Sequence, residues 1–298
     1  MAKAKRNFYF IGFGNMAQAI YQRMDKKAYG TIGIIEVDEK CNELDTRKVR
    51  REDPRGDFYL TAETIICNDA WWEYNYGDVT NSDIFLLAVK PADIKMVCES
   101  CSNNFEWNDP QNQSIIISIA AGVTIDNIAK YLGGNYNLGK IVRAMPNLCA
   151  KKGMAMTGLH GGLDYMQFGY TSEGKLISEI FNSIGQVLWV NKESDLDSVT
   201  AISGSGPAYI YYIMNAMIDA AEELGLEKSV AQKLVTQTII GAGETGKDID
   251  NLESEIVKVS SKGGTTEKAI DIFKQKKLDI IIKQAIKAAH KRSKELSK

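Results

Sequence analysis

This sequence predicts an α/β chain, in which a doubly wound, mainly parallel sheet comes first and an all-helical domain follows. Three observations predict it. A strand, a glycine turn and a helix open the chain between Phe8 and Met24. Continuous apolar runs separated by helical segments then recur to about residue 192, the signature of a parallel sheet covered on both faces. Beyond that point the strand pattern stops. With 298 residues the chain can bury a sizeable core and hold two domains, 1–192 and 193–298.

The opening run Phe8-Tyr9-Phe10-Ile11 ends in Gly12-Phe13-Gly14-Asn15-Met16-Ala17, and a helical pattern continues through Ala19, Ile20 and Met24. Strand, glycine turn and helix in this order match the Rossmann-type dinucleotide fingerprint. Gly12 permits the tight turn, Gly14 lets a pyrophosphate approach the backbone, and Ala17 keeps helix and strand close. The next strands are Ile32 to Ile35, Ile84 to Val89, Ser114 to Ser118 and Lys140 to Met145. Met154 to Thr157 and Val187 to Val190 add two more, with a helix from Gly174 to Ile184 between them. The stretch from Cys41 to Asn81 reads as an irregular, solvated insertion. It carries Arg47, Lys48, Arg50, Arg51 and Arg55 and, further on, Trp71-Trp72; the competing reading is a basic segment near a cofactor ribose.

The second domain is organised around Thr200 to Leu226. Ser203-Gly204-Ser205-Gly206 is a flexible lead-in, Pro207 suits the first helical turn, and Gly225 stops the helix. Between them Ala208 to Leu224 is apolar on nearly every side, so other helices or a second copy of the chain must enclose it. The lead-in reads either as a plain N-cap or as a set of backbone N–H groups facing an anion. Further helices follow at Val230 to Thr245, Leu252 to Val259, Glu267 to Phe273 and Leu278 to Leu296. Ahead of the third of these, Ser260-Ser261-Lys262-Gly263-Gly264-Thr265-Thr266 is either a well-capped turn or a loop that offers N–H groups and hydroxyls to a carboxylate.

Charge and composition narrow the chemistry. Thirty-six basic against 38 acidic residues give a net charge of -2, which argues against nucleic acid or an anionic membrane as partner. The five cysteines are scattered, and Cys98-x-x-Cys101 has no second pair to complete a zinc site, so no metal is expected. No apolar run near the N-terminus is long enough for a signal peptide core or a membrane span, and a reducing cytoplasm fits best. The two histidines, His160 in a glycine-rich loop and His290 in the last basic helix, do not sit at strand ends where a proton carrier would be placed. Hydride transfer to a C=N bond fits these absences. A protonated imine is already electrophilic and needs positioning, carboxylate donors and a hydroxyl near the ring nitrogen rather than a strong base.

Taken together, the motifs resemble the pyrroline-5-carboxylate reductase family along nearly the whole chain. The resemblance is carried in order by Phe10 to Ala17, Leu87-Ala88-Val89-Lys90-Pro91, Ser118 to Ile125, Arg143-Ala144-Met145-Pro146-Asn147, Ala201 to Tyr209 and Ser261 to Thr266. It implies an oxidoreductase that reduces 1-pyrroline-5-carboxylate to L-proline with NADH or NADPH, the last step of proline biosynthesis. It also implies that the helical domain forms a homodimer, and beyond it a ring of dimers. By position, Gly12, Gly14, Asn15 and Met16 would meet the pyrophosphate. Asn68, Ala88, Lys90 and Pro91 would line the adenosine side, and Met145, Pro146 and Asn147 would lie towards the nicotinamide. Ser261, Gly263, Gly264 and Thr265 would hold the substrate carboxylate, and Thr266, the catalytic residue, would hydrogen-bond the ring nitrogen.

Three departures qualify the resemblance. Lys262 stands where the family has proline, and Leu148-Cys149 where it has threonine-proline. After the second strand the run is Glu36-Val37-Asp38-Glu39-Lys40, whose carboxylates favour an unphosphorylated ribose and hence NADH, with the basic run from Arg47 to Arg55 as the opposing feature. Reduction of another cyclic imino acid, a cofactor-binding homologue without turnover, and an F420- or NADP-linked reductase sharing only the first domain are the alternatives. The two serine-glycine loops of the second domain argue against the last.

Overall fold

A computed structural model describes residues 6–29, 32–35, 45–52, 58–66, 83–102, 113–134, 136–162 and 169–297. The chain divides into two compact units, residues 1–204 with 290–298, and residues 205–289.

The first unit is built on a single sheet. Its strands are β1 (Phe8–Ile11), β2 (Ile32–Ile35), β3 (Asp45–Glu52), β4 (Phe58–Ile66), β5 (Ile84–Leu87), β6 (Ile115–Ser118), β7 (Ile141–Met145), β8 (Ala155–Gly161) and β9 (Gly185–Trp189). They lie in the order β4-β3-β2-β1-β5-β6-β7-β8-β9. β2, β1, β5, β6 and β7 run parallel, as do β8 and β9. The pairs β2–β3, β3–β4 and β7–β8 are antiparallel. The sheet is therefore mainly parallel, as the apolar runs predict.

Both faces of β1 and β5 are covered, which is why these two strands are apolar at every position. Helices α1 (Asn15–Arg23) and α4 (Ser172–Asn182) pack on one face against Phe8, Phe10, Leu86 and Ile117, through Ala17, Ile20, Ile177 and Phe181. Helices α2 (Ile94–Ser102) and α3 (Ile125–Tyr131) cover the other, where Tyr9, Ile11, Phe85 and Leu87 meet Val97, Cys98 and Ile128. The alternation of Phe8 and Phe10 against Tyr9 and Ile11 is the period-two geometry of a strand. Each fully buried aromatic or aliphatic side chain contributes about 2 kcal/mol. Two of these helices start where a threonine caps them: Thr124 Oγ1 accepts the Asn127 N–H at 3.2 Å, and Thr171 Oγ1 accepts that of Gly174 at 3.0 Å.

Two elements differ from the sequence expectation. The segment read as an irregular insertion contains the antiparallel hairpin β3–β4, which extends the sheet from β2. His160, expected in a loop, lies within β8, opposite Arg143 of β7. The run Glu36 to Lys40, Arg55, Cys41, Cys67, Asn68 and Trp71-Trp72 lie outside the described residues.

The short helix α5 (Asp195–Val199) leads into a π-turn at Thr200–Gly204. From there the second unit is helical: α6 (Gly206–Glu223), α7 (Lys228–Thr245), α8 (Leu252–Val259), α9 (Thr265–Gln275) and α10 (Leu278–Leu296), the last of which runs on into the first unit. Ser293 and Ser297 on this final stretch donate hydroxyl hydrogens to Asp197 Oδ1 at 2.6 and 3.3 Å. Within the second unit only Ala231 and Val235 are buried apolar residues. Tyr212, 81% exposed, and Val257, 68% exposed, are among many large apolar side chains that a single chain leaves in water. No helix among the described residues is long and apolar enough to cross a membrane.

Candidate active site

The order of the sheet reverses at β1, whose neighbours β2 and β5 lie on opposite sides. The crevice beyond the carboxyl ends of strands at such a switch point is where open α/β sheets bind ligands. Gly12 follows β1 and Ala88 follows β5, and the Ala88 N–H donates to Ile11 O at 2.8 Å. Gly12 has φ +84, and a Cβ there would fall 2.7 Å from Val89 Cγ1 and 3.0 Å from the Ala88 backbone, so only glycine fits. Gly14 differs. It precedes α1 with ordinary extended φ and ψ and no side-chain cap, and a Cβ added there meets no atom within 4 Å. The space above it and the unpaired N–H groups at the start of α1 fit a phosphate group. Asn15 is the first residue of α1, Met16 is half-buried against the core, and Ala17 is fully buried between helix and sheet. Lys90 caps the short turn Pro91–Asp93, with Pro91 as its first residue.

The carboxyl end of β7 carries the second group of expected residues. Met145 is half-buried, and Pro146 and Asn147 are buried. The Asn147 side chain is fully engaged: Nδ2 donates to Ser203 O and to Ser203 Oγ, each at 3.1 Å, and Oδ1 accepts the Cys149 N–H at 3.2 Å. Ser203 Oγ in turn reaches Met156 O at 3.4 Å. The first half of the serine-glycine lead-in, Ser203-Gly204, thus closes the π-turn Thr200–Gly204 and is held through Asn147 to the segment after β7. A Cβ at Gly204 would lie 2.7 Å from Met145 Cε, the movable end of that side chain, so the turn packs closely against Met145.

In the second unit, the loop from Ser260 to Thr266 connects α8 to α9. Gly263 has φ +74, and the Gly264 N–H closes the turn on Ser261 O at 2.9 Å. The Gly263 N–H donates to Glu267 Oε2 at 2.7 Å, so a carboxylate already lies against this loop. Thr265 and Thr266 open α9, where backbone N–H groups lack a helical acceptor. Ser261 and Lys262 are exposed, and the buried hydroxyl of Ser260 finds no hydrogen-bond partner.

Several well-placed groups carry no local sequence signal. Arg143 donates to Glu193 Oε1 at 2.8 Å, and the same oxygen accepts the Ile125 N–H at 2.8 Å, joining β7 to the start of α3. Lys151 Nζ donates to Asn15 Oδ1 at 3.0 Å beside the glycine turn. His160 Nδ1 lies 3.1 Å from Val190 O, and His290 lies on α10. The thiols of Cys98 and Cys101 are buried on α2. Burial pushes that of Cys98 up to about 12 and raises that of Cys101 well above its ordinary value, so they are inert packing groups.

A doubly wound sheet with a glycine turn at its switch point defines a Rossmann-type nucleotide-binding chain. Comparison with known proteins narrows the class. A family model described as pyrroline-5-carboxylate reductase dimerisation matches residues 193–296. The pyrroline-5-carboxylate reductase of Pseudomonas aeruginosa is 32% identical over 97% of this chain and 96% of its own length. A solved pyrroline-5-carboxylate reductase from Coxiella burnetii superposes with a TM-score of 0.74 at 32% identity, covering 99% of both chains. That of Plasmodium falciparum, solved with NADP bound, shares the fold at a TM-score of 0.72 and 23% identity, covering 100% of both chains. The chain belongs to the pyrroline-5-carboxylate reductase family.

Proposed function

We propose that this protein reduces 1-pyrroline-5-carboxylate to L-proline with NADH or NADPH, the last step of proline synthesis. The observation that carries the reading is 32% identity to a pyrroline-5-carboxylate reductase over almost the full length of both chains. When bound, the dihydronicotinamide supplies the hydride for the C=N carbon. The chain supplies position. Residues 1–192 hold the dinucleotide, with Gly12, Gly14, Asn15 and Met16 at the pyrophosphate. Asn68, Ala88, Lys90 and Pro91 are assigned to the adenosine side, and Met145, Pro146 and Asn147 to the nicotinamide side. Since the Asn147 amide is spent on Ser203 and Cys149, this residue acts by holding the β7 turn and the Ser203 turn together.

Residues 193–298 dimerise and bind substrate. Ser261, Gly263, Gly264 and Thr265 receive the substrate carboxylate, with the Thr265 and Thr266 amides supplying the N–H groups that α9 leaves unpaired. The Thr266 hydroxyl hydrogen-bonds the ring nitrogen. The exposed apolar helices of the second unit are the dimer surface, and rings of dimers extend it. The chain works in the cytoplasm, where free thiols such as those of Cys98, Cys101 and Cys149 stay reduced.

The decisive test is oxidation of NADH and, separately, NADPH by purified protein with 1-pyrroline-5-carboxylate, followed at the nicotinamide absorbance. Rapid oxidation is expected, faster with NADH if Asp38 and Glu39 govern the ribose. Bound cofactor without oxidation would remove proline synthesis and leave another cyclic imine or a non-catalytic role.

A further inference from the structure

We propose that Lys151 is a cofactor-binding residue whose ammonium meets the pyrophosphate of the dinucleotide at the start of α1. The inference rests on the assignment of the glycine turn to the cofactor and goes beyond it. The glycine fingerprint itself contributes backbone N–H groups but no positive charge. A pyrophosphate carries two negative charges, and a cation held at the same place completes the site.

The geometry places that cation. Residues Leu148–Lys152 form a turn that follows β7 and ends at Gly153, whose φ is +71. The turn lies along α1 and is fastened at both ends of that helix. At the carboxyl end, Arg23 Nη2 donates to Lys151 O at 3.4 Å, and the Arg23 guanidinium occupies the space that a Gly153 side chain would need, 2.6 Å from its Cβ position. At the amino end, Lys151 Nζ donates to Asn15 Oδ1 at 3.0 Å. Ala150, 1% exposed, anchors the turn to the core, so the backbone of Lys151 is fixed while its side chain reaches towards the glycine turn. Among the described residues no carboxylate pairs with this ammonium, and its Asn15 partner is neutral. An ammonium without a carboxylate partner therefore stands against Asn15, one residue from Gly14, whose Cβ position has no atom within 4 Å.

The test is equilibrium binding to the full-length protein, read by nicotinamide fluorescence without substrate. Lys151→Met should raise Kd about fivefold for NADH and for NADPH alike, because the pyrophosphate is common to both. Lys151→Arg should restore most of the affinity, and added salt should weaken binding to the wild type more than to Lys151→Met. An unchanged Kd in Lys151→Met would overturn the proposal, as would a loss confined to NADPH, which would put the ammonium at the ribose phosphate. Circular dichroism of each variant separates lost binding from lost fold. A wild-type protein that binds neither dinucleotide would instead refute the assignment of the glycine turn.

Discussion

Asn147 donates both amide hydrogens to Ser203, one to its carbonyl and one to its hydroxyl, across a separation of 56 residues. The pair ties the end of β7 to the π-turn that precedes α6. Replacing Asn147 by Leu, close in volume, takes from the Ser203 oxygens and the Cys149 N–H the partner they have in this half-buried place. It should destabilise the protein by about 2 kcal/mol. Urea unfolding of the variant would read this as a lower midpoint with an unchanged slope. An unchanged midpoint would show that water replaces the amide.

Gly12 and Gly14 should fail in different ways. At Gly12 a side chain meets Val89 and the Ala88 backbone and must adopt a positive φ, so Gly12→Ala should cost about 2 kcal/mol of stability as well as cofactor binding. At Gly14 nothing in the protein opposes a methyl group. Gly14→Ala should therefore unfold like the wild type and raise Kd for the dinucleotide about tenfold, since the methyl group occupies the phosphate's approach. Thermal unfolding and cofactor titration on the same two preparations separate the effects.

The contrast between these residues explains what the sequence discloses. Strand, glycine turn and helix from Phe8 to Met24 are legible because each feature depends on neighbours a few residues away, and the same holds for the helices from Gly206 to Leu296. The hairpin β3–β4 is not legible. Asp45–Glu52 is densely charged and shows no apolar alternation, so pairing to β2 and β4 rather than local pattern makes it a strand. β8 is underestimated for a related reason: Gly158, His160 and Gly161 interrupt its apolar run, and its length is set by antiparallel pairing to β7. Among the candidate site residues, the glycines of the first unit and the Ser261 to Thr266 loop of the second are read from spacing. Arg143 with Glu193 and Lys151 with Asn15 join residues 50 and 136 positions apart, and no local pattern marks them.

The cysteines offer a check on the core around α2. A thiol held near 12 is ionised on the order of one part in ten thousand at pH 8, and only the thiolate attacks an alkylating reagent. The direction matters: raising pH towards 9 should leave Cys98 and Cys101 unlabelled while an ordinary thiol ionises. Cys149, half-exposed on the turn after β7, should react first among these three. Peptide mapping after brief iodoacetamide treatment, native and in urea, would show Cys98 and Cys101 modified only in urea. Native labelling of either would mean that α2 opens readily.

At the substrate loop, Thr266 and Glu267 should act in opposite directions. Removing the Thr266 hydroxyl takes away the hydrogen bond assigned to the ring nitrogen, so Thr266→Ala should lower kcat about a hundredfold while Kd for the dinucleotide stays the same. Loss of cofactor binding in this variant would refute the role. Glu267 places a carboxylate on the Gly263 N–H at 2.7 Å, in the loop assigned to the carboxylate of the substrate. Two like charges there oppose each other, so Glu267→Gln, which keeps an acceptor oxygen but removes the charge, should lower KM for the imino acid about threefold with kcat little changed. The reduction should fade at high salt, because screening weakens the repulsion in the wild type first. A raised KM in Glu267→Gln would mean that the carboxylate serves to hold the loop in shape and that the substrate never competes for that amide.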